Sequence, residues 1–396
     1  MDPVTHGITG ALLGKGFFSE RYGRVATFAA TLGAVFPDVD TIADVISRDP
    51  LAIIKYHRGI THSFVGLPFF AALLAWLTRW VARRFNFESP SWATLTLIYG
   101  VGIASHILLD GATSFGTRML TPISQQRVAW DLLFIIDLAF SATILLPQVI
   151  AWIYSDRAKN RKRSAQMWVL FTLATFAGWE LATSVGYPFH VSVLIVSIAV
   201  LAGLFFVPSI GGWGFRLKRS TWCRLGTYAM VLYIANCWLA HHLVMQRVKA
   251  FAAENHIQAD RMAALPLPPS WLSWGGIIRS SNGVFQSRVD IRHLGAQPFQ
   301  FFPDSPADKY IAAALELPEV KLYWSFARFP VIRSSAEGDL HVVEFGENRF
   351  VNPKRRRPQP FTYLVVFDSD GKVVEEGWEE SGLFLKNMQR MPHHLP

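Results

Sequence analysis

A chain of 396 residues that is 51% hydrophobic, with 30 Phe and 14 Trp and a mean hydropathy of +0.25, has room for two domains and is too apolar for an ordinary water-soluble protein. Lys and Arg outnumber Asp and Glu by 20 to 12 through residue 245 and by only 18 to 17 after it, so the formal charge of +9 belongs to the apolar half. Basic residues there report membrane topology, and nucleic acid is not an expected partner.

Met1-Asp2-Pro3 lacks a basic n-region, so no cleaved leader is expected. Residues 5–18 and 25–36 are apolar but short, and together predict a shallow helical hairpin turning at Glu20-Arg21-Tyr22-Gly23-Arg24. Six longer spans are expected at 63–81, 92–109, 130–154, 166–185, 189–207 and 225–244, since about 20 helical residues cross a hydrocarbon core of ~30 Å. The turns at 19–24, 79–90, 154–165 and 209–224 carry 14 of the 20 basic residues in this half, which places them in the cytoplasm. The opposite face, with Arg48, Lys55, Arg58, Arg118 and Arg127, then faces outward. Cys223 and Cys237 share one apolar run at no metal-motif spacing and say nothing about redox compartment.

That outer face gathers every His/Asp motif of the first 110 residues. They are His6, then Phe36-Pro37-Asp38-Val39-Asp40, then His57-Arg58-Gly59-Ile60-Thr61-His62-Ser63, then His106-Ile107-Leu108-Leu109-Asp110-Gly111. Imidazole and carboxylate together are a ligand set for zinc or manganese, and such an ion activates water for hydrolysis. His106 and Asp110 are four apart on one helix face and can share an ion or stand behind one another; the alternative is a buried Asp110 capping a loop near Gly111. Asp38 and Asp40 follow a helix-stopping Pro37 and are either ligands or an N-cap. His57 and His62 are five apart and come together only if Gly59 turns the chain; Thr61 and Ser63 either belong to the site or cap the following span. Arg58 is a surface cation or a clamp for an anionic substrate. Ser114, Thr117, Arg118 and Arg127, in the same outer loop, are candidates for holding a phosphate, with a plain solvated loop as the alternative.

Further along, Asp131, Asp137 and Glu180 are acids in apolar surroundings, which makes each a functional candidate. His190, His241 and His242 approach the outer face again and read as interfacial residues. After residue 245 the composition changes. Residues 246–264 read as an amphipathic helix and Leu265-Pro266-Leu267-Pro268-Pro269 as a stiff linker. Alternation then predicts strands at 284–291, 321–329, 340–345 and 361–367, the last turning through Asp368-Ser369-Asp370-Gly371 into a hairpin with 372–378, and one helix at 307–317. Lys354-Arg355-Arg356-Arg357 is a solvated loop or a contact for anionic lipid.

The motif set of residues 1–130 resembles the bacterial inner-membrane-associated, metal-dependent hydrolase family, some of whose members are labelled LexA-regulated. Asp2-Pro3-Val4-Thr5-His6-Gly7, Phe36-Pro37-Asp38-Val39-Asp40, His57-Arg58-Gly59-Ile60-Thr61-His62-Ser63 and His106-Ile107-Leu108-Leu109-Asp110 carry the likeness. It implies a metal-dependent hydrolase and fixes no substrate. The His-x-x-x-Asp helix is also similar to zinc-dependent phospholipase C, although the N-terminal Trp ligand and downstream His-x-x-x-Glu of those enzymes have no counterpart here.

The expected protein is thus a mainly α-helical polytopic membrane protein of the bacterial inner membrane with a C-terminal strand-rich α+β soluble domain. Residues 1–245 are the membrane-embedded part, 246–270 a helix and Pro-rich linker, and 271–396 an extramembrane domain on the outer, periplasmic side, serving as a lid or partner platform. His6, Asp38, Asp40, His57, His62, His106 and Asp110 are the candidate ligands of one to three divalent ions, zinc first, with manganese or magnesium as alternatives. Asp38, Asp40 and Arg58 are the candidate catalytic groups, and Arg58, Arg118 and Arg127 the candidate substrate-binding ones. A membrane lipid or lipid-linked phosphoester fits that location. Two other classes stay open: an ion-coupled transporter working through Asp137 and Glu180, and a non-catalytic membrane regulator with a structural metal.

Overall fold

A computed structural model describes residues 1–47, 49–184, 190–292, 298–350 and 359–379. Pro3 at a helix start and Asp2 accepting from the Thr5 N–H begin α1 (Pro3–Leu13), which runs through a π-helical stretch, Gly14–Phe18, into α2 (Ser19–Val35). Within α2 the chain breaks at Gly23, with φ +66°, a backbone that glycine adopts without penalty. The two arms pack closely: a Cβ on Gly10 would lie 2.5 Å from the Ala30 carbonyl oxygen. The predicted N-terminal hairpin is therefore observed. Helices α3 (Thr41–Ile46), α4 (Ala52–Lys55), α5 (Leu67–Arg84), α6 (Trp92–Gly111), α7 (Leu138–Ile153), α8 (Asn160–Ser184), α9 (Val191–Phe206) and α10 (Arg219–Glu254) follow.

Among the described residues, four stretches are long and apolar enough to cross a membrane by length and composition: Pro3–Ala43, which contains the bent hairpin, and Trp92–Gly111, Val191–Phe215 and Arg219–Glu254. Val193, Val196 and Val200 on α9 and Val231 and Leu232 on α10 are exposed, a cost in water that a hydrocarbon surrounding removes. The expected count of six spans does not carry over. The span expected at 130–154 shrinks to the 16 residues of α7, because Asp137 caps its start by accepting from the N–H groups of Ala139 and Phe140. The residues ahead of it form a loop held by bridges between Thr117 and Val128 and between Thr113 and Leu133. Helix α5 begins only at Leu67, after the turn at Ile60–His62, so the span expected over 63–81 starts four residues late, and it carries Arg79, Arg83 and Arg84 as expected.

The chain divides into two compact, interleaved units. The first comprises Met1–Pro37, Phe64–Leu109 and Asp137–Ala235. Small residues set its helix contacts: a Cβ on Gly102 of α6 would come within 2.5 Å of the Ala30 carbonyl oxygen, and one on Gly33 within 2.7 Å of that of Tyr99, so backbones approach as closely as glycine permits.

The second comprises Asp38–Ser63, Asp110–Ile136 and Asn236–Pro396. It contains two antiparallel four-stranded sheets, β1 (Ala259–Leu267), β2 (Ser273–Ser280), β3 (Gly283–Asp290) and β4 (Gln300–Pro303) in one, and β5 (Pro330–Glu337), β6 (Leu340–Glu347), β7 (Thr362–Phe367) and β8 (Val373–Trp378) in the other, each in sequence order. Between them lie α11 (Lys309–Glu316) and α12 (Pro318–Phe326). The helix at 307–317, the strands at 284–291, 340–345 and 361–367 and the closing hairpin appear as expected. Two readings are corrected. The helix expected over 246–264 ends at Glu254, and the first three residues of the expected linker, 265–267, belong to β1, an edge strand whose Pro266 sits opposite Trp274; an edge tolerates the missing N–H. The strand expected at 321–329 is largely helix α12, because Pro318 opens it and Val320, Tyr323 and Phe326 are buried three residues apart. Leu51, Ile54 and Phe115 share one core with Tyr323, Phe326 and Phe345, so segments 38–63 and 110–136 fold as part of the strand-rich unit. The run Lys354-Arg355-Arg356-Arg357 lies outside the described residues.

Candidate metal centre

The centre is built on chain turns that the sequence marks. Phe36–Asp40 is a 3-10 turn that presents Asp38 and Asp40, and Ile60–His62 is a second that buries His62. Arg58, between them, takes a left-handed backbone with φ +58°, a strained position of the kind found at functional sites.

Asp40 organises this loop. One carboxylate oxygen lies 2.9 Å from His57 Nδ1. The other accepts from the Arg58 N–H at 3.0 Å and the Thr61 hydroxyl at 2.9 Å and lies 3.0 Å from His62 Nδ1. With Nδ1 turned to Asp40, His62 directs Nε2 at Asp38 and Asp110, 3.5 Å and 3.3 Å away. Burial alone would lower the His62 pKa, yet the carboxylates of Asp110, Asp38 and Asp40 outweigh it and raise it to about 10. Three carboxylates face this buried imidazole and Arg58 offsets one of them, so a proton on the ring or a metal ion in its place is favoured.

Asp110 closes α6, and its Oδ2 also meets Arg58 Nε at 2.9 Å, both side chains being almost fully buried. The Arg58 guanidinium donates further to the Asp110 carbonyl and to the hydroxyls of Thr113 and Thr117. Arg58 thus orients Asp110 and is enclosed. One turn earlier on the same continuous helix stands His106, whose Nδ1 is 2.6 Å from the Ala34 carbonyl oxygen; a donor there leaves Nε2 as the ligand nitrogen. His6 stacks on His106, ring centroids 3.6 Å apart. Asp38, His62 and Asp110 meet within the second unit, and His106 stands one turn before Asp110 on the continuous helix α6. Two imidazole nitrogens and two carboxylates are a donor set that fits a divalent ion, zinc and manganese included.

The seven expected ligands therefore separate. Asp38, His62 and Asp110 come together, with His106 one turn earlier on α6; Asp40 contacts His57 and His62, and His6 lies against His106. Arg118 donates to the carbonyl oxygens of Lys55 and His57, and Arg127 to those of Gly116 and Ile54; neither forms an ion pair among the described residues. Burial, with Arg118, Arg58 and Arg349 nearby, lowers the Arg127 pKa to about 9. The sequence reading missed Thr113 and Phe115, although both fall five residues or fewer after Asp110.

The other acids and histidines have local duties. Asp137 caps α7 and accepts from the Tyr233 hydroxyl at 2.7 Å. Asp131 takes both guanidinium nitrogens of Arg328, at 2.9 Å and 2.8 Å. Glu180 is exposed on α8. His190 caps α9, His241 packs edge-on to Trp274 and His242 stacks on Trp238.

These features define a membrane protein with a buried site suited to a divalent cation. Residues 1–187 match the family model described as YdjM inner membrane protein, which supports the bacterial inner-membrane part of the resemblance. No curated protein and no solved structure matches the chain.

Proposed function

We propose that the chain is a metal-dependent hydrolase of the bacterial inner membrane, with its site at the outer face. The observation that carries the reading is the convergence of Asp38, His62 and Asp110, with His106 one turn along α6, at the end of an apolar helix. A divalent ion held there supplies Lewis acidity and lowers the pKa of bound water.

The chain's own groups set up that chemistry. Asp40 fixes the His62 ring through Nδ1 and braces His57, and the Ala34 carbonyl does the same for His106. Arg58 keeps the Asp110 carboxylate in place, so its contribution to catalysis is to hold a ligand. Asp40, both of whose oxygens are taken by His57, the Arg58 N–H, Thr61 and His62, acts as their brace; the base is sought among carboxylates that carry no such load. Asp38, Asp40 and His57 lie at the rim, 13%, 10% and 15% exposed, and from there a substrate enters.

The substrate we propose is a lipid or lipid-linked phosphoester. Val39, Ile42, Tyr56 and Ile60, interleaved with the site residues, are exposed apolar side chains suited to an acyl or isoprenoid chain. Arg118, half-buried beside His57 and without a carboxylate partner among the described residues, suits a phosphate. We take this rim and the C-terminal domain to lie on the periplasmic side, a reading that the Arg- and Lys-rich turns of the sequence support. The reading is tested by incubating purified, zinc-loaded protein in mixed micelles with phosphoester lipids. Turnover that disappears in Asp38→Ala and on chelation supports it; bound metal without turnover of phosphoester or amide panels favours the structural-metal alternative.

A further inference from the structure

Where the C-terminal domain meets the loop after Asp110, the aromatic ring of Phe115 lies between that domain and the candidate centre. Phe115 lies five residues beyond Asp110 and is 7% exposed. One group of neighbours belongs to the centre: the Arg58 guanidinium lies 4.9 Å from its ring centroid, that of Arg127 5.5 Å, and the His57 ring 5.7 Å. The other group belongs to the C-terminal domain: Phe326, Phe361 and Phe350, at 5.1, 5.8 and 6.4 Å.

Backbone contacts fix the same junction. Arg349 donates to the Ser114 carbonyl at 2.7 Å and to that of Phe326 at 3.0 Å, and the Trp378 indole donates to the Pro50 carbonyl. Phe115 is therefore wedged between the rings of one segment and the cations of another. Its π face attracts the Arg58 guanidinium, and that guanidinium holds the carboxylate of Asp110.

We propose that Phe115 is a positioning residue through which the C-terminal domain sets the geometry of the metal ligands. The Phe326–Phe115–Arg58–Asp110 succession makes the domain a fixed part of the site, in place of the lid or partner platform expected from the sequence. The inference rests on the metal reading above. Removing outer partners of a ligand typically lowers metal affinity by about 10- to 100-fold, and an effect of that order is expected here.

The experiment loads the full-length protein with Co²⁺ and records its visible d–d spectrum and dissociation constant. Phe115→Leu keeps apolar bulk and removes the π face; it is expected to weaken binding by about 10-fold or more and to shift the spectrum. Phe115→Tyr, which retains the ring, is expected to restore both. Phe326→Leu leaves the loop sequence intact and carries the test if Phe115→Leu does not fold. Phe367→Leu, in the same core cluster but against Tyr310, controls for domain stability. It is expected to lower the melting temperature and leave the cobalt spectrum unchanged. A wild-type spectrum and affinity in Phe115→Leu, or an equal shift in Phe367→Leu, overturns the inference while leaving the metal site standing. A wild-type protein that takes up no cobalt overturns both.

Discussion

Arg58 and Asp110, 52 residues apart in the chain, meet at 2.9 Å with their side chains 2% and 1% exposed. An ion pair so enclosed is costly to break, because removing one partner strands the other charge in a medium that solvates it poorly. Arg58→Met is therefore expected to destabilise the metal-free protein by about 3–5 kcal/mol, read from denaturant unfolding in detergent. A loss under 1 kcal/mol would mean that water reaches the pair.

His62 gives the centre its pH dependence. Its folded pKa, about 10, lies above the ordinary value of about 6.5. The protonated ring therefore stabilises the metal-free fold fully below about pH 6.5, and this contribution fades as pH rises through about 10. A metal ion must displace that proton, so affinity should climb steadily from pH 6 to 9, with about one proton released per ion from this ring. Calorimetric titrations in buffers of differing ionisation enthalpy measure it. In His62→Gln the release from this ring should vanish; proton release unchanged by that substitution would contradict the assignment.

Asp137 separates a hydrolase from an ion-coupled transporter. As an N-cap accepting from Ala139 and Phe140, it is replaceable by asparagine, which caps about as well, whereas alanine costs ~1 kcal/mol. Thermal melts of Asp137→Asn close to wild type, with Asp137→Ala lower, are expected. Ion flux into proteoliposomes that Asp137→Asn abolishes would instead support a transport path.

The close approach of α6 to α2 rests on Gly102. A methyl group there would stand 2.5 Å from the Ala30 carbonyl oxygen and 2.8 Å from the Ala34 nitrogen, both backbone atoms that have little room to yield. Gly102→Ala should lower stability by about 1–3 kcal/mol. Because His106 follows on the same helix, metal affinity should fall with it. Unchanged melting would show that the helices separate freely.

The parts of the molecule governed by short-range rules were legible in the sequence. Helical spacing places His106 and Asp110 on one face, glycine allows the turn at Gly23, and the Asp368-to-Gly371 turn announces the β7–β8 hairpin. Competing local signals misled elsewhere. Alternation in 321–329 also satisfies a three-residue helical repeat, and Pro318 decides in favour of helix. Apolar content over 130–154 suggests a crossing, whereas Asp137 starts the helix late. The contacts that complete the centre join positions far apart, such as Phe115 to Phe326 and Arg349 to Ser114, and no periodicity encodes them. Arg58 illustrates the same limit: its residue type suggested a substrate clamp, and only its enclosure by Asp110, Thr113 and Thr117 shows what it holds.

The central claim is that Asp38 and His62 help to bind a divalent ion, and elemental analysis of purified protein tests it most directly. The wild type should retain zinc or another divalent metal stoichiometrically after dialysis, and Asp38→Ala and His62→Ala should lose most of it while remaining folded. Wild-type protein that holds no metal, even after incubation with zinc or manganese, would contradict the account.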